Sequence, residues 1–209
     1  MAAPWRLNSS KTALLVIDMQ NDFVLEGRPM EVAMARQKVP RMNAVIQACR
    51  SAEIPVIYTE HVLFDEFNVS PLETAYNPTL LDRGMRKGTD GVRVIDALRP
   101  HDGDVIIQKH RYDAFHNTPL DTLLKAIRGL HQVDTVIIIG TLTEVCCEST
   151  ARSAYMRDYK VAFVSDATGA LSEEAQQATE RSIATFFGRV LTAEELACEI
   201  GSSDEENAA

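Results

Sequence analysis

Five short apolar runs, each stopping at a polar residue or a glycine, constrain this 209-residue chain more than any other feature. They are TALLVID (Thr12 to Asp18), PVIYTE (Pro55 to Glu60), DVIIQK (Asp104 to Lys109), TVIIIG (Thr135 to Gly140) and KVAFVSD (Lys160 to Asp166). Each is rich in β-branched residues, too short to stand as a helix, and apolar at successive positions. That is the pattern of a strand covered on both faces. Helical stretches lie between several of them, at Glu31 to Ala52, Leu120 to Ile127, Glu144 to Tyr159 and Ser172 to Phe187. Strand–helix alternation predicts right-handed βαβ crossovers and a doubly wound, Rossmann-like α/β sandwich of three layers. A short strand at Gly188 to Leu191 and a helix at Thr192 to Ile200 complete a mostly parallel sheet of about six strands. Residues 1–10 are expected to form an N-terminal arm, 11–200 the single domain, and 201–209 (GSSDEENAA) a disordered acidic tail. The segment His61 to Gly91, broken by Pro71, Pro78, Gly84 and Gly88, reads as a long functional or subunit-contact loop with one helical turn.

A net charge of −9 argues against nucleic acid and against an anionic membrane surface as partners. No apolar run approaches the roughly 18 residues that a spanning helix needs. The start, MAAPWRLNSSK, has no apolar signal region, so a cytoplasmic location is expected. In that setting Cys49, Cys146, Cys147 and Cys198 read as free thiols. No spacing suggests a structural zinc, and neither a metal nor a cofactor is expected.

In open α/β sheets ligands bind beyond the carboxyl ends of the strands. Asp18, Glu60 and Lys109 end the first three runs, and Cys146 and Cys147 follow the fourth by one turn. Alone, Asp18 reads as a turn residue and Lys109 as a solvated strand end. With a thiol on the same edge they make the constellation of a cysteine nucleophile with supporting charges. Cys146 falls where a helix begins, a place expected to lower a thiol's pKa and to offer N–H groups to an oxyanion. Cys147 shares i, i+4, i+7 spacing with Ala151 and Ala154, a small-residue stripe suited to packing. Cys49 and Cys198 sit in helical patterns and read as structural. His61, His101, His110, His116 and His131 are dispersed, with no metal spacing and no link to Cys146, so the expected base is Asp18.

The stretches LLVIDMQNDF, QKHRYDAF and GTLTEVCCESTARSAYMRDYKVAFVSDAT resemble, in order, the three signature blocks of the isochorismatase-like cysteine hydrolases. The resemblance runs from about Lys11 to Leu191. It implies a triad of Asp18, Lys109 and Cys146, with the thiol attacking a carbonyl carbon. It also implies a cis peptide bond between Leu142 and Thr143, and an oxyanion hole made by the N–H groups of Thr143 and Cys146. The stretch YTEHVLFDEFN has His61 but no second nearby histidine, a departure from the zinc site of the nicotinamidase members. RYDAF, TEVCCESTAR and DATGA are most similar to the branch acting on ureido and carbamoyl amides, such as biuret hydrolase, ureidoacrylate amidohydrolase and N-carbamoylsarcosine amidohydrolase. The implied activity is cleavage of a C–N bond in a small linear amide through a cysteine-linked acyl or carbamoyl intermediate, releasing ammonia. Phe23, Tyr112 and Phe115 are candidate pocket walls, and Glu144 is a further candidate substrate contact. Arg111 would meet a substrate carboxylate or carbonyl, or stay solvated beside Lys109. Family members are commonly dimers or tetramers, which implies a homodimer or homotetramer here. Competing readings are hydrolysis of another small primary amide such as nicotinamide or maleamate, and an idle domain binding a partner through the His61–Gly91 loop. A redox pair of Cys146 and Cys147 is weaker, since a bridge between neighbours is strained.

Overall fold

A computed structural model describes residues 5–65, 69–130 and 132–207, with side-chain surroundings to residue 202. Six strands form one sheet: β1 (Thr12–Ile17), β2 (Val56–His61), β3 (Val105–Lys109), β4 (Thr135–Thr141), β5 (Lys160–Gly169) and β6 (Arg189–Leu191). Their order is β3-β2-β1-β4-β5-β6, and every neighbouring pair is parallel. The α-helices are α1 (Asn21–Val24), α2 (Ala33–Ser51), α3 (Pro71–Tyr76), α4 (Leu120–Ala126), α5 (Glu148–Tyr155), α6 (Glu173–Ser182) and α7 (Ala193–Asn207).

Alternation along each strand builds two cores. Leu14, Val16, Tyr58, Ile137 and Ile139 face α2 and α7, where they meet Met42, Ile46, Cys49 and Leu196. Leu15, Ile17, Ile57, Ile107 and Ile138 face the other side, meeting Leu124 of α4 and Cys147, Ala151 and Ala154 at α5. Burying both faces is why these strands are apolar at successive positions. The strand order reverses between β1 and β4, so a crevice opens beyond their carboxyl ends.

Several expected boundaries move. A π turn, Thr143–Cys147, precedes α5, and another, Ile183–Phe187, follows α6. Helix α7 carries the buried Leu196 and Ile200 and continues through Gly201 to Asn207, within the segment expected to be an acidic tail. Residues 208–209 lie outside the described residues. Residues 5–10 are not a free arm. Leu7 is buried, its N–H donates to Glu199, and Arg189, paired with Glu199, stacks over Trp5. Residues 1–4 lie outside the described residues. The His61–Gly91 segment carries α3 and a 3₁₀ turn at Pro78–Leu81. Among its described residues, backbone bonds join Leu63 to Met85 and Lys87 to Leu63.

Gly140 shows how tightly the reversal point is built. It sits at φ +123° in β4, and a Cβ there would lie 2.1 Å from the carbonyl oxygen of Ile17 in β1. Both the backbone conformation and the space demand glycine. Gly140→Ala is expected to lower stability by about 3 kcal/mol or more, read as the shift of a urea denaturation midpoint. A change under about 0.5 kcal/mol would show that the two strands can part here.

Candidate active site

The carboxyl ends of four strands supply the polar floor of the crevice. Asp18, just past β1, adopts a left-handed backbone at φ 48°. That turn drops its side chain towards β2, where the Thr59 hydroxyl donates to Oδ1 at 2.6 Å and accepts from the Asp18 N–H at 3.1 Å. Lys109, the last residue of β3, reaches Asp18 Oδ2 with Nζ at 2.7 Å and donates to the Arg111 carbonyl at 2.9 Å. Both side chains are fully buried. Burial works against the Lys109 ammonium, but the Asp18 charge, helped by Cys146, outweighs it and raises the lysine pKa.

Cys146 stands beside this pair in the π turn after β4, and Cys147 faces the core formed with α5. Both thiols border the same core, but of the two only Cys146 lines the cavity, and all four cysteines are free. Cys49 is buried in α2, whereas Cys198 is exposed on α7. The expectation of a lowered Cys146 pKa is overturned. Burial pushes the thiol up to about 12; Lys109 and the Leu142 N–H pull it down, while Asp18 pushes it up. Desolvation of a thiolate exceeds what one turn of N–H groups returns. The cis peptide also lies one bond earlier than expected, between Thr141 and Leu142. The Leu142 carbonyl already belongs to the turn, accepting from Val145 and Cys147, and the Leu142–Thr143 unit therefore has the trans form of helical peptides.

His61 is the residue that sequence reasoning missed. Strand β2 runs one residue further than expected, and its alternation sends Glu60 outward to Gln108 and His61 inward, in register with Lys109. Glu60 therefore leaves the candidate set. The donor atoms of Asp18, His61 and Cys146 lie within 4.8 Å of one another. This group is the place among the described residues where a metal could be held, although a cation there would have to compete with the Lys109 ammonium on Asp18. Gln20 fixes the histidine's backbone. Its Oε1 accepts from the His61 N–H at 2.7 Å, and its Nε2 donates to the carbonyls of His61 and Val92. The signal for Gln20 was present in MQNDF, but only the fold shows what it holds.

A cavity of about 320 Å³ opens above Cys146. Phe23, Leu80, Tyr112, Leu142 and Leu171 form apolar walls, with His61, Glu73 and Asn77 among the polar lining. Phe23 and Tyr112 line it and Phe115 does not. The Ala114 N–H bonds to Thr150, and the turn carries Phe115 into the opposite core, stacked on Tyr159 and under Arg157. Arg111 contributes its carbonyl to Lys109, and its guanidinium donates to the His110 carbonyl, outside the cavity lining. Glu144 stands behind the wall and accepts from the Leu171 N–H at 3.0 Å, holding that side chain over the opening. The Thr143 hydroxyl points away, donating to Gln176.

A family profile described as Isochorismatase domain matches residues 12–195. The chain is 32% identical over 206 residues to the ureidoacrylate amidohydrolase RutB of Methylorubrum extorquens, covering 90% of this chain and 82% of that protein. The RutB protein of Pantoea ananatis is 30% identical, over 95% and 86%. Among solved structures, a cysteine hydrolase from Pseudomonas syringae pv. phaseolicola superposes with a TM-score of 0.90 at 34% identity, covering 97% of this chain and 100% of that one. N-carbamoylsarcosine amidase from Thermoplasma acidophilum gives 0.74 at 30% identity, covering 88% and 98%.

A thiol pushed up to about 12 is protonated at rest. Its thiolate fraction then rises about tenfold per pH unit until the pKa is reached. Alkylation of Cys146 by iodoacetamide, followed by peptide mass analysis, is expected to keep climbing from about pH 7 to about pH 10. A plateau near neutral pH would reveal a resting thiolate and overturn this reading of the site.

Proposed function

The chain belongs to the isochorismatase domain family, and from that premise we propose that it is an amidohydrolase cleaving a C–N bond of a small ureido- or carbamoyl-type amide through Cys146. The observation that carries this reading is the fully buried Lys109–Asp18 pair beside the Cys146 thiol, at the base of a cavity sized for a small molecule. A protonated thiol needs a base at the moment of attack, and an Asp18 carboxylate oxygen lies within 4.8 Å of it.

Asp18 takes the thiol proton as Sγ bonds to the carbonyl carbon, and the π electrons move onto oxygen. The N–H groups of Thr143 and Cys146 receive this oxyanion. Collapse breaks the C–N bond, and Asp18 returns the proton to the departing nitrogen, which leaves as ammonia. Water then gives a proton to Asp18 while its oxygen attacks the acyl carbon. The second collapse breaks the C–S bond, and the thiolate recovers its proton from Asp18. Lys109 stays an ammonium throughout and balances the negative charge as it moves between carboxylate and sulfur.

Ammonia release is to be measured with biuret, ureidoacrylate, N-carbamoylsarcosine, maleamate and nicotinamide, with folding of each variant checked by circular dichroism. At least one ureido compound should turn over. Cys146→Ala should lose about a thousandfold or more of kcat, and Lys109→Met about a hundredfold or more. Cys147→Ser should retain most activity. Turnover that survives Cys146→Ala would sink the mechanism.

A further inference from the structure

The cavity's polar groups are one-sided. His61 Nε2 is buried and has no hydrogen-bond partner. The imidazole also bonds to the backbone of His110, and with Nε2 unpartnered that donor must be Nδ1–H, to the His110 carbonyl. The tautomer is then fixed with a bare lone pair on Nε2, in a ring that has a nitrogen within 4.8 Å of donor atoms of Asp18 and Cys146. Burial, then the charges of Lys109, His110 and Arg111, holds the imidazole well below its ordinary pKa, so it stays neutral. Across the cavity, the Glu73 carboxyl bonds to the Tyr112 hydroxyl, and its Oε2 is buried with no partner. Two acceptors, each with a buried atom that has no partner, thus line one small cavity.

Burial raises the Glu73 pKa, and the charges of Arg111 and Lys109 act against this from outside the cavity lining. Among the described residues lining the cavity there is no lysine or arginine. The nearby Lys109 is held by Asp18 and the Arg111 carbonyl. Glu31 at the rim is already paired with Arg36 at 2.7 Å, which leaves Glu73 as the acid facing inward. Leu80, Leu142 and Leu171 surround the space with hydrocarbon, where an unbalanced anion is costly.

We propose that this cavity selects uncharged, N–H-rich amides and discriminates against carboxylate-bearing ones, with His61 Nε2 and the Glu73 carboxyl accepting from the substrate's nitrogens. The inference rests on the hydrolase reading and narrows it. The carbamoyl group to be cleaved brings its amide hydrogens to His61, and the remote end brings N–H groups to Glu73. A remote carboxylate would instead meet an acid.

Binding is to be measured by calorimetry on the Cys146→Ala protein with a matched pair, N-carbamoylglycinamide and N-carbamoylglycine, which differ only in an amide for a carboxylate. The amide should bind at least about tenfold more tightly. Glu73→Gln on the same background should shrink that ratio to about threefold or less by improving carboxylate binding. His61→Phe should weaken the amide without closing the gap. A carboxylate bound as well as the amide, a ratio indifferent to Glu73→Gln, or no binding of either compound would each overturn the proposal. Ammonia release by wild type separates it from the hydrolase reading. Selective binding without turnover of any amide would sink the hydrolase reading alone. Equal binding and turnover of both compounds would sink this one alone.

Discussion

An ammonium and a carboxylate 2.7 Å apart, neither touching solvent, set the terms for everything around them. Burying two charges is costly, and the attraction between them recovers that cost only when geometry and further hydrogen bonds are good. Here the Thr59 hydroxyl and the Arg111 carbonyl take up the remaining valences. Those partners come from β2 and from the turn after β3, so the pair demands that three strand ends be held in register. The sheet provides this at the reversal point, where Gly140 lets β4 approach β1 more closely than any side chain would allow.

The same burial shifts the neighbours in opposite directions. It pushes the Cys146 thiol up and the His61 imidazole down, because in each case the neutral form is the one that avoids desolvation. The resting site therefore holds one compensated ion pair surrounded by neutral groups. In the proposed mechanism a nucleophile is released only when its proton can move to Asp18, which links attack to an occupied cavity rather than to a permanently reactive thiolate.

The cavity wall comes from a different layer. The His61–Gly91 segment brings Glu73, Leu80 and Met85 over the catalytic floor, and Glu144 holds Leu171 against it from the far side. The segment is braced by Asp22, whose carboxylate accepts from the Met85 N–H at 2.7 Å and leaves no space for a side chain at Gly91. The buried pair thus sits at strand ends, while much of the cavity wall comes from an excursion outside the sheet.

Periodicity and composition determined the strands, their burial on both faces and the parallel α/β class, because these follow from which residues must leave water. The polar stops at Asp18 and Lys109, and a cysteine one turn past the fourth strand, were legible for the same reason: ligands gather at strand ends. The division between Cys146 and Cys147 followed from helical spacing. Tertiary structure alone decided the rest. One extra residue in β2 exchanged Glu60 for His61, since alternation reverses with each step along a strand. A single turn after β3 sent Phe115 into the far core and left Tyr112 at the cavity. The direction of the Cys146 pKa depended on burial, which no local pattern reports, and α7 carries Leu196 and Ile200 into the core. Spacing along a chain records which faces are apolar; which polar atoms meet across 40 or 90 residues is settled only when the sheet brings their strands together.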